Sequence, residues 1–371
     1  MIYLDHAATS PMPDQVIERF QSLAETAWGN AGGVYTAGRE ARRVLDDARE
    51  SVAKALGASP DEIYFTAGGS ESDNWAILGT CRALPDRRHI ITTQIEHHAV
   101  LNPCRYLETQ GYEVTYLPVD PYGRVNPETV EQAIRPDTAL ISIQMANNEI
   151  GTIEPVESIA EMAKAHAIRF HTDAVQAVGQ TKIDLSQLSA DLLSLSGHKF
   201  GAPKGIGVLF IRRGTRMKPF VYGGDQERGM RAGTENVIGA CLMALALEIY
   251  RNGDFERMRS LRDTFIDRVI SHCPDVVLNG SRTDRLPGNI HLSVPGMNRN
   301  ALLMQLDMAG IAASAGSACT AGIQEPSHVI SAIGGDTEAA SLRLTLGHEN
   351  TEAEMEKAAS VLCRILDRRK G

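Results

Sequence analysis

Residues 191–199 read DLLSLSGHK, an apolar run that passes through small polar residues to His198 and Lys199. A lysine at the end of a strand can form a Schiff base with a carbonyl cofactor. Its amine is nucleophilic only if its pKa falls below the ordinary value of about 10.4, and partial burial does this. A bare lysine in such a place is more often simply solvated, but Ser196 and His198 beside it, and the motifs that follow, favour the chemical reading. HTDAVQ, residues 171–176, delivers Asp173 from another strand end. A buried carboxylate there would keep a pyridine-type ring nitrogen protonated and the ring electron-withdrawing. Gln176 is close enough in sequence to reach a ring hydroxyl. Asp173 could instead cap a following helix.

FTAGGSESDN, residues 65–74, offers a seat for an anion. Gly68 and Gly69 let the backbone wrap closely, and Ser70 opens a helix whose first amides and dipole suit a phosphate. No Gly-Lys-Ser/Thr follows, so this is not a Walker A loop. The alternative is a glycine turn in which Ser70 caps against Asp73. EHHAV places Glu96, His97 and His98 after a strand. An imidazole can stack on a cofactor ring or move a proton, and chemistry alone does not choose between the two histidines. Asn148, in ANNEIG, could hydrogen-bond a cofactor or substrate, or serve a turn. Thr234 lies in a long Gly-rich, charged loop, residues 223–236. It could reach a phosphate, or the loop could be plain surface.

The six cysteines, at 81, 104, 241, 273, 319 and 363, are scattered with no CxxC pair. Neither a zinc site nor a redox dithiol is expected from that spacing. Five of them read as small buried hydrophobes. Cys319 differs, because it sits among tiny residues in AGSACTAG, within an Ala/Gly/Ser-rich stretch (312–324) that suggests a mobile loop. A sulfur acceptor must approach the substrate and then carry the product away, so mobility is useful. An ordinary thiol pKa of about 8.5 leaves little thiolate at neutral pH; a cation or proton acceptor nearby would help, and His328 is a candidate. Arg343 stands among apolar residues in SLRLTLG. A buried guanidinium needs an anion, which an amino-acid α-carboxylate would supply in bidentate fashion; an internal salt bridge would serve as well.

These residues need a frame. Short β-rich runs at 63–66, 88–92, 113–117, 138–144, 169–172, 191–196 and 207–211 alternate with helical stretches at 70–84, 98–109, 127–134 and 155–166. That alternation predicts a mostly parallel sheet covered by helices, with ligands at the carboxyl ends of the strands. A helix from 236 to about 250, a break at 251–254 and a helix over 254–273 follow. Short strands at 288–294, 312–314 and 341–345 then predict a smaller α/β domain. A length of 371 residues suits two domains. The net charge of −9 argues against a dedicated nucleic-acid binder. The chain opens without a basic and then apolar leader and has no run of 18 apolar residues, which predicts a soluble, cytoplasmic protein.

In chain order, FTAGGSESDN, EHHAV, NNEIG, HTDAVQ, SLSGHKFGAPKG, ERGMRAGTENV, GSACTAG, EPSHV and SLRLTLG resemble the cysteine desulfurases of group I, the NifS/IscS-like branch of the class V aminotransferase family. The opening YLDHAATSPMP is similar too, so the resemblance runs from residue 3 to about 355. It implies an α/β protein of the fold-type-I pyridoxal-phosphate-dependent transferases, acting as a homodimer. A large domain (15–250) would be built on a mostly parallel seven-stranded sheet. A small domain, 1–14 with 251–371, would carry the catalytic cysteine loop. The implied reaction removes sulfur from L-cysteine, giving L-alanine and a persulfide on Cys319. A sulfur-acceptor protein, an iron–sulfur scaffold or a tRNA thiolase, would take the sulfur onward, with no direct nucleic-acid or membrane contact. By the same resemblance Lys199 is the Schiff-base lysine, Asp173 pairs with the pyridine nitrogen, Gln176 meets the ring oxygen and His97 stacks on the ring. Gly69, Ser70, Ser196 and His198 surround the phosphate, with Thr234 reaching in from the other subunit. Asn148 touches cofactor and substrate, Arg343 takes the substrate carboxylate, and no metal is bound. Two departures stand out. Gly69-Ser70 replaces the Ala-Thr of many relatives yet keeps a hydroxyl. The residues after Leu366 lack the longer tail that some relatives use to dock a scaffold, which leaves the acceptor open.

Overall fold

The computed structural model describes residues 1–316 and 326–368. The chain opens with β1 (Ile2–Tyr3), α1 (Asp14–Thr26) and α2 (Thr36–Leu56). The alternating stretch follows as β2 (Ile63–Thr66), α3 (Gly69–Ala83), β3 (His89–Thr93), α4 (His98–Thr109), β4 (Glu113–Leu117), α5 (Pro127–Gln132), β5 (Thr138–Ser142), α6 (Val156–Ala165), β6 (Arg169–Asp173), β7 (Leu192–Ser196) and β8 (Gly207–Ile211). Next come α7 (Val237–Arg251), α8 (Phe255–His272), β9 (Val277–Leu278), β10 (Asn289–Val294), α9 (Arg299–Met308), β11 (Ile311–Ala312), α10 (His328–Ala332), β12 (Ala340–Thr345) and α11 (Glu352–Arg368). The expected strands and helices are present with ends shifted by one or two residues, and α1 and α2 precede them.

Seven strands form one sheet in the order β2-β8-β7-β6-β5-β3-β4. The pairs from β7 through β6, β5 and β3 to β4 are parallel, and β8 runs against both of its neighbours. The central strands β3, β5, β6 and β7 consist almost wholly of buried residues, as expected where helices cover both faces. The chain runs outward from β3 to β4, then returns to β5 on the other side of β3. Loops leaving the carboxyl ends of β3 and β5 therefore diverge, and a ligand crevice opens between them.

Helix α2 buries Gly38, Ala41, Leu45, Ala48, Val52 and Leu56, a face spaced at three and four residues. It ends at Gly57, whose left-handed backbone (φ 70°) closes the last turn. These residues join a first apolar core that runs from Val16 to Leu286. A second core takes Ile2 and Leu4 together with residues between Met258 and Leu366. Its frame is the antiparallel sheet β12-β10-β9, while β1 pairs in parallel with β11. Four of the cysteines read as buried hydrophobes (81, 104, 273 and 363) are buried, whereas Cys241 is only half-buried. No helix among the described residues is long and apolar enough to cross a membrane.

Candidate active site

Strand register explains how the anion loop reaches Lys199. Gly207 on β8 is the partner of Ser196 on β7 and also of Thr66 on β2. A Cβ at Gly207 would lie 2.6 Å from the Gly68 Cα. Glycine there lets the turn after β2 lie directly against the end of β7. A Cβ at Gly69 would likewise come within 2.6 Å of Val175 Cγ2, so α3 begins pressed against the turn that carries Asp173. The helix N-cap is Gly68, which has no side chain to occupy the first amides of α3.

Gly69, Ser70, His97, Asn148, Asp173, Gln176, Ser196, His198 and Lys199 all line one cavity of about 240 Å³. Asp73, Gln144, Ala146 and Val175 complete its walls; sequence reasoning gave Asp73 only a capping role and did not single out the other three. Thr234 does not line it; it is exposed on the loop before α7. Cys319 lies outside the described residues.

The charged groups of the cavity constrain one another. Burial, and then the nearby Arg343 cation, lowers the Lys199 amine to about 8, with Asp173 opposing. Lys199 Nζ donates to the carbonyls of Ala7 (2.6 Å) and Ala8 (3.0 Å). Burial raises the Asp173 carboxyl to about 6. Its Oδ1 accepts the Val175 N–H at 2.9 Å, which closes a turn; no helix starts there, so the capping alternative is not what the fold uses. Asp73 is pushed well above the carboxylate range by burial and then by Asp173. Beside it, 3.6 Å away, His171 is held between Ser142 and Ser194. Burial lowers His171 to about 3.

His97 is the N-cap of α4, and its Nδ1 accepts the Ala99 N–H at 3.1 Å. Burial and then the Lys199 charge lower its imidazole to about 4, so the ring is neutral and its proton sits on Nε2. That geometry separates the two histidines. His97 is fixed by the helix end and lines the cavity, whereas the His98 ring lies 5.0 Å from the His328 ring. His328 Nε2 meets the Glu96 carbonyl at 3.0 Å. His198 Nδ1 lies 3.2 Å from Thr9 Oγ1, and burial followed by the Lys199 charge lowers it to about 4. Asn147, not Asn148, serves the turn after β5, accepting the N–H groups of Glu149 and Ile150.

Arg343 is buried and makes the internal ion pair that sequence reasoning had left open. Its Nη2 donates to Asp5 Oδ1 at 2.9 Å. Its Nη1 donates to the carbonyls of Asn148 and Gly316, and its Nε has no hydrogen-bond partner among the described residues. The guanidinium thus sits beside the cavity wall with its Nε–H unpaired among the described residues. The strip 5–10 supplies Asp5, the Ala7 and Ala8 carbonyls, and Ser10, whose hydroxyl donates to the Lys199 carbonyl at 2.9 Å. Gln176 Nε2 also donates to the Ala7 carbonyl, at 3.0 Å. Sequence reasoning gave this strip no task; its cluster of small polar residues was the available signal.

A lysine with a depressed pKa, a buried carboxylate, a neutral histidine and a glycine-lined helix start, all at strand carboxyl ends, make a cavity whose chemistry suits capture of a carbonyl and seating of an anion. Residues 2–357 match the family "Aminotransferase class-V", and the chain belongs to that family. Within it the chain falls among the cysteine desulfurases. It is 47% identical to "Cysteine desulfurase IscS" of Dictyoglomus turgidum over 99% of this chain and 95% of that protein. The solved structure of a "NifS-like protein" superposes with a TM-score of 0.93 at 35% identity, covering 99% of both chains. A structure titled "SspA in complex with cysteine" superposes with a TM-score of 0.83 at 35% identity, over 93% of this chain and 99% of that one.

Proposed function

We propose that this chain is a pyridoxal-phosphate-dependent cysteine desulfurase that converts L-cysteine to L-alanine and holds the sulfur as a persulfide on Cys319. The observation that carries the reading is a lysine amine lowered to about 8 in the same 240 Å³ cavity as Asp173 and the glycine turn at Gly68 and Gly69. The donor set fits the cofactor. Lys199 would hold it covalently, Asp173 would face its ring nitrogen, and Gln176 its ring oxygen. The start of α3 with Ser70, Ser196 and His198 would take its phosphate. Bound pyridoxal phosphate supplies a carbonyl that captures the substrate amine and a ring that accepts electron density from its α-carbon.

The chain's own groups do the rest. Lys199, once released by the substrate amine, takes the α-proton; its lowered pKa suits a base at neutral pH. Arg343, with its Nε unused, and Asn148 hold the substrate carboxylate and thereby orient the Cα–H bond. His97, neutral and capped to its helix, covers the ring and can pass a proton from Nε2. The Cys319 thiolate attacks the substrate sulfur, the C–S bond breaks, and the carbon fragment leaves as alanine after protonation. One thiol and one cysteine thus become one persulfide and one alanine.

A homodimer is part of the reading. Trp28 (70% exposed), Val34 (87%) and Tyr35 are apolar and outward-facing. Arg42 ties their segment to the loop of Thr234, donating to the Ala31 carbonyl at 3.1 Å and pairing with Glu235 at 3.4 Å. An apolar surface around Thr234 supports a second subunit there, with Thr234 reaching the partner's phosphate site. The two cores support large and small domains at 15–250 and at 1–14 with 251–371. The sulfur acceptor would be an iron–sulfur scaffold or a tRNA thiolase, and the protein cytoplasmic.

The test is to incubate the cofactor-loaded protein with L-cysteine and a thiol reductant, then quantify alanine and sulfide for the wild type and Cys319→Ala. Equal alanine and sulfide, lost in the variant while cofactor content is unchanged, is the expected result. Pyruvate in place of alanine, or full turnover by the variant, would overturn the assignment.

A further inference from the structure

Helix α8 ends at His272, and Cys273 is its C-cap residue. The last turns of α11 lie alongside and carry Asp367. His272 Nε2 and Asp367 Oδ1 are 2.9 Å apart. With the Cys273 sulfur, one donor atom from each residue falls within 4.8 Å of the others, and among the described residues this is the one group of three side chains so arranged. We propose that His272, Cys273 and Asp367 form a binding site for a borderline-soft divalent cation of the zinc(II) type, remote from the catalytic cavity.

The donor types choose the ion. Imidazole nitrogen, thiolate sulfur and carboxylate oxygen are the ligands zinc takes, whereas calcium and magnesium call for all-oxygen sets. Bond lengths of about 2.0–2.3 Å place donors around one tetrahedral ion roughly 3.2–3.8 Å apart. The His272–Asp367 pair, at 2.9 Å, therefore has to open slightly to admit an ion, and the sulfur separations, within 4.8 Å, need only a small adjustment. The two outer members can provide this, since the side chains of His272 and Asp367 are 42% and 58% exposed, while Cys273 is fully buried and fixes the floor. Three protein ligands leave a fourth position for water or an outside ligand.

The helices that present these groups are already docked. Arg268 on α8 reaches Glu356 and Ser360 of α11 at 3.3 and 2.8 Å, and Ile266, Val269, Leu362 and Leu366 share the second core. An ion would thus add to an existing seam and need not order a loop. Cys363 lies one helical turn before Asp367, on the same face of α11. No CxxC spacing announces the group, because its members come from helix ends 94 residues apart in the chain. A bare surface ion pair is the competing account, and the chain contains a matched example. His166 and Glu131 pair at 3.4 Å with both side chains exposed, and no cysteine completes that pair into a cluster.

The measurement is equilibrium dialysis of the cofactor-loaded protein against low-micromolar zinc chloride, with bound zinc read by elemental mass spectrometry. Cys319→Ala serves as the background, so that the carrier thiol does not compete for the ion. The expected result is about one zinc per chain, with affinity reduced about tenfold or more by His272→Ala and by Asp367→Ala and unchanged by His166→Ala. The altered side chains are exposed, and an unchanged far-UV circular dichroism spectrum checks that the variants remain folded. Zinc bound equally by His272→Ala and its parent, or no zinc bound by the parent, would overturn the proposal.

Discussion

Lys199, the proposed nucleophile, is restrained by backbone. The Ala7 and Ala8 carbonyls hold its Nζ, and burial brings the amine to about 8. Only the neutral amine attacks a carbonyl. The cofactor-free protein should therefore capture pyridoxal phosphate at a rate that climbs about tenfold per pH unit below about pH 8 and levels off above it. Stopped-flow absorbance from pH 6 to 9 reads this directly, and a flat profile would contradict the assignment. Lys199→Ala should retain no covalently held cofactor chromophore and no turnover. A second titrating group acts on stability. Glu154 accepts the Val125 N–H at 2.9 Å, its other oxygen has no partner among the described residues, and burial pushes its carboxyl up to about 8. Its folded pKa lies above its unfolded value, so the folded state binds the extra proton. The resulting stability is fully present below about pH 4.5 and is lost as pH rises toward 8. Glu154→Gln lacks this titration. Its melting temperature should gain on that of the wild type between pH 5 and 8, and parallel melting curves across that range would refute the protonated carboxyl.

Elements earn their places by register and by a few buried charges. Gly207→Ala would drive a methyl toward Gly68 and part the turn after β2 from Ser196. Overpacking of this kind costs about 1–3 kcal/mol, and the larger effect should be on cofactor retention, read as a dissociation constant raised about tenfold or more. The loop of Thr234 depends on a buried pair. Arg49 on α2 grips Glu227 at 2.6 and 2.8 Å, and Glu227 and Arg228 both hold left-handed backbone (φ 45° and 59°). Arg49→Ala would leave Glu227 buried without its cation and should cost about 3–5 kcal/mol in denaturant unfolding; a loss under 1 kcal/mol would show that water replaces the pair. The same helix shows what sequence alone concealed. The buried face of α2 recurs at three- and four-residue spacing from Gly38 to Leu56, but Gly38, Ala41 and Ala48 are small and Arg49 is buried beside them, so the helix was not singled out although its period was present. Strands β5 (TALIS) and β7 (LLSLS) were plain because each is a short apolar and small-residue run that ends in a polar motif, whereas β6 (RFHTD) is largely polar and owes its burial to its place in the middle of the sheet.

At the scale of the molecule, the surface beside Thr234 carries the prediction. Trp28→Glu combined with Val34→Asp should convert a dimer to a monomer in sedimentation velocity and weaken cofactor retention together with it. A dimer that survives both changes would remove this face from the interface. What the sequence made legible here was each contiguous cluster of chemistry, from the turn at Gly68 to Lys199, because strand ends bring such clusters to one rim. Pairings across the chain were not legible. Arg343 invited an anion, but nothing near it names Asp5, its partner 338 positions away. That distance has a temporal meaning. Asp5 and Ala7 are held in place by β12, where the Ala7 N–H donates to Thr345 Oγ1 at 2.8 Å and Thr345 N–H to the Leu4 carbonyl at 2.8 Å. At about 5–20 residues per second, a ribosome needs roughly 20–70 seconds to travel from one to the other. Lys199 itself is made only partway through, and for roughly the last 7–30 seconds the nascent chain has Lys199 but not the strand that brings the Ala7 and Ala8 carbonyls to it. On the proposed function, loading of the cofactor therefore waits for β12, and a polypeptide truncated before residue 340 should emerge from translation unable to bind it.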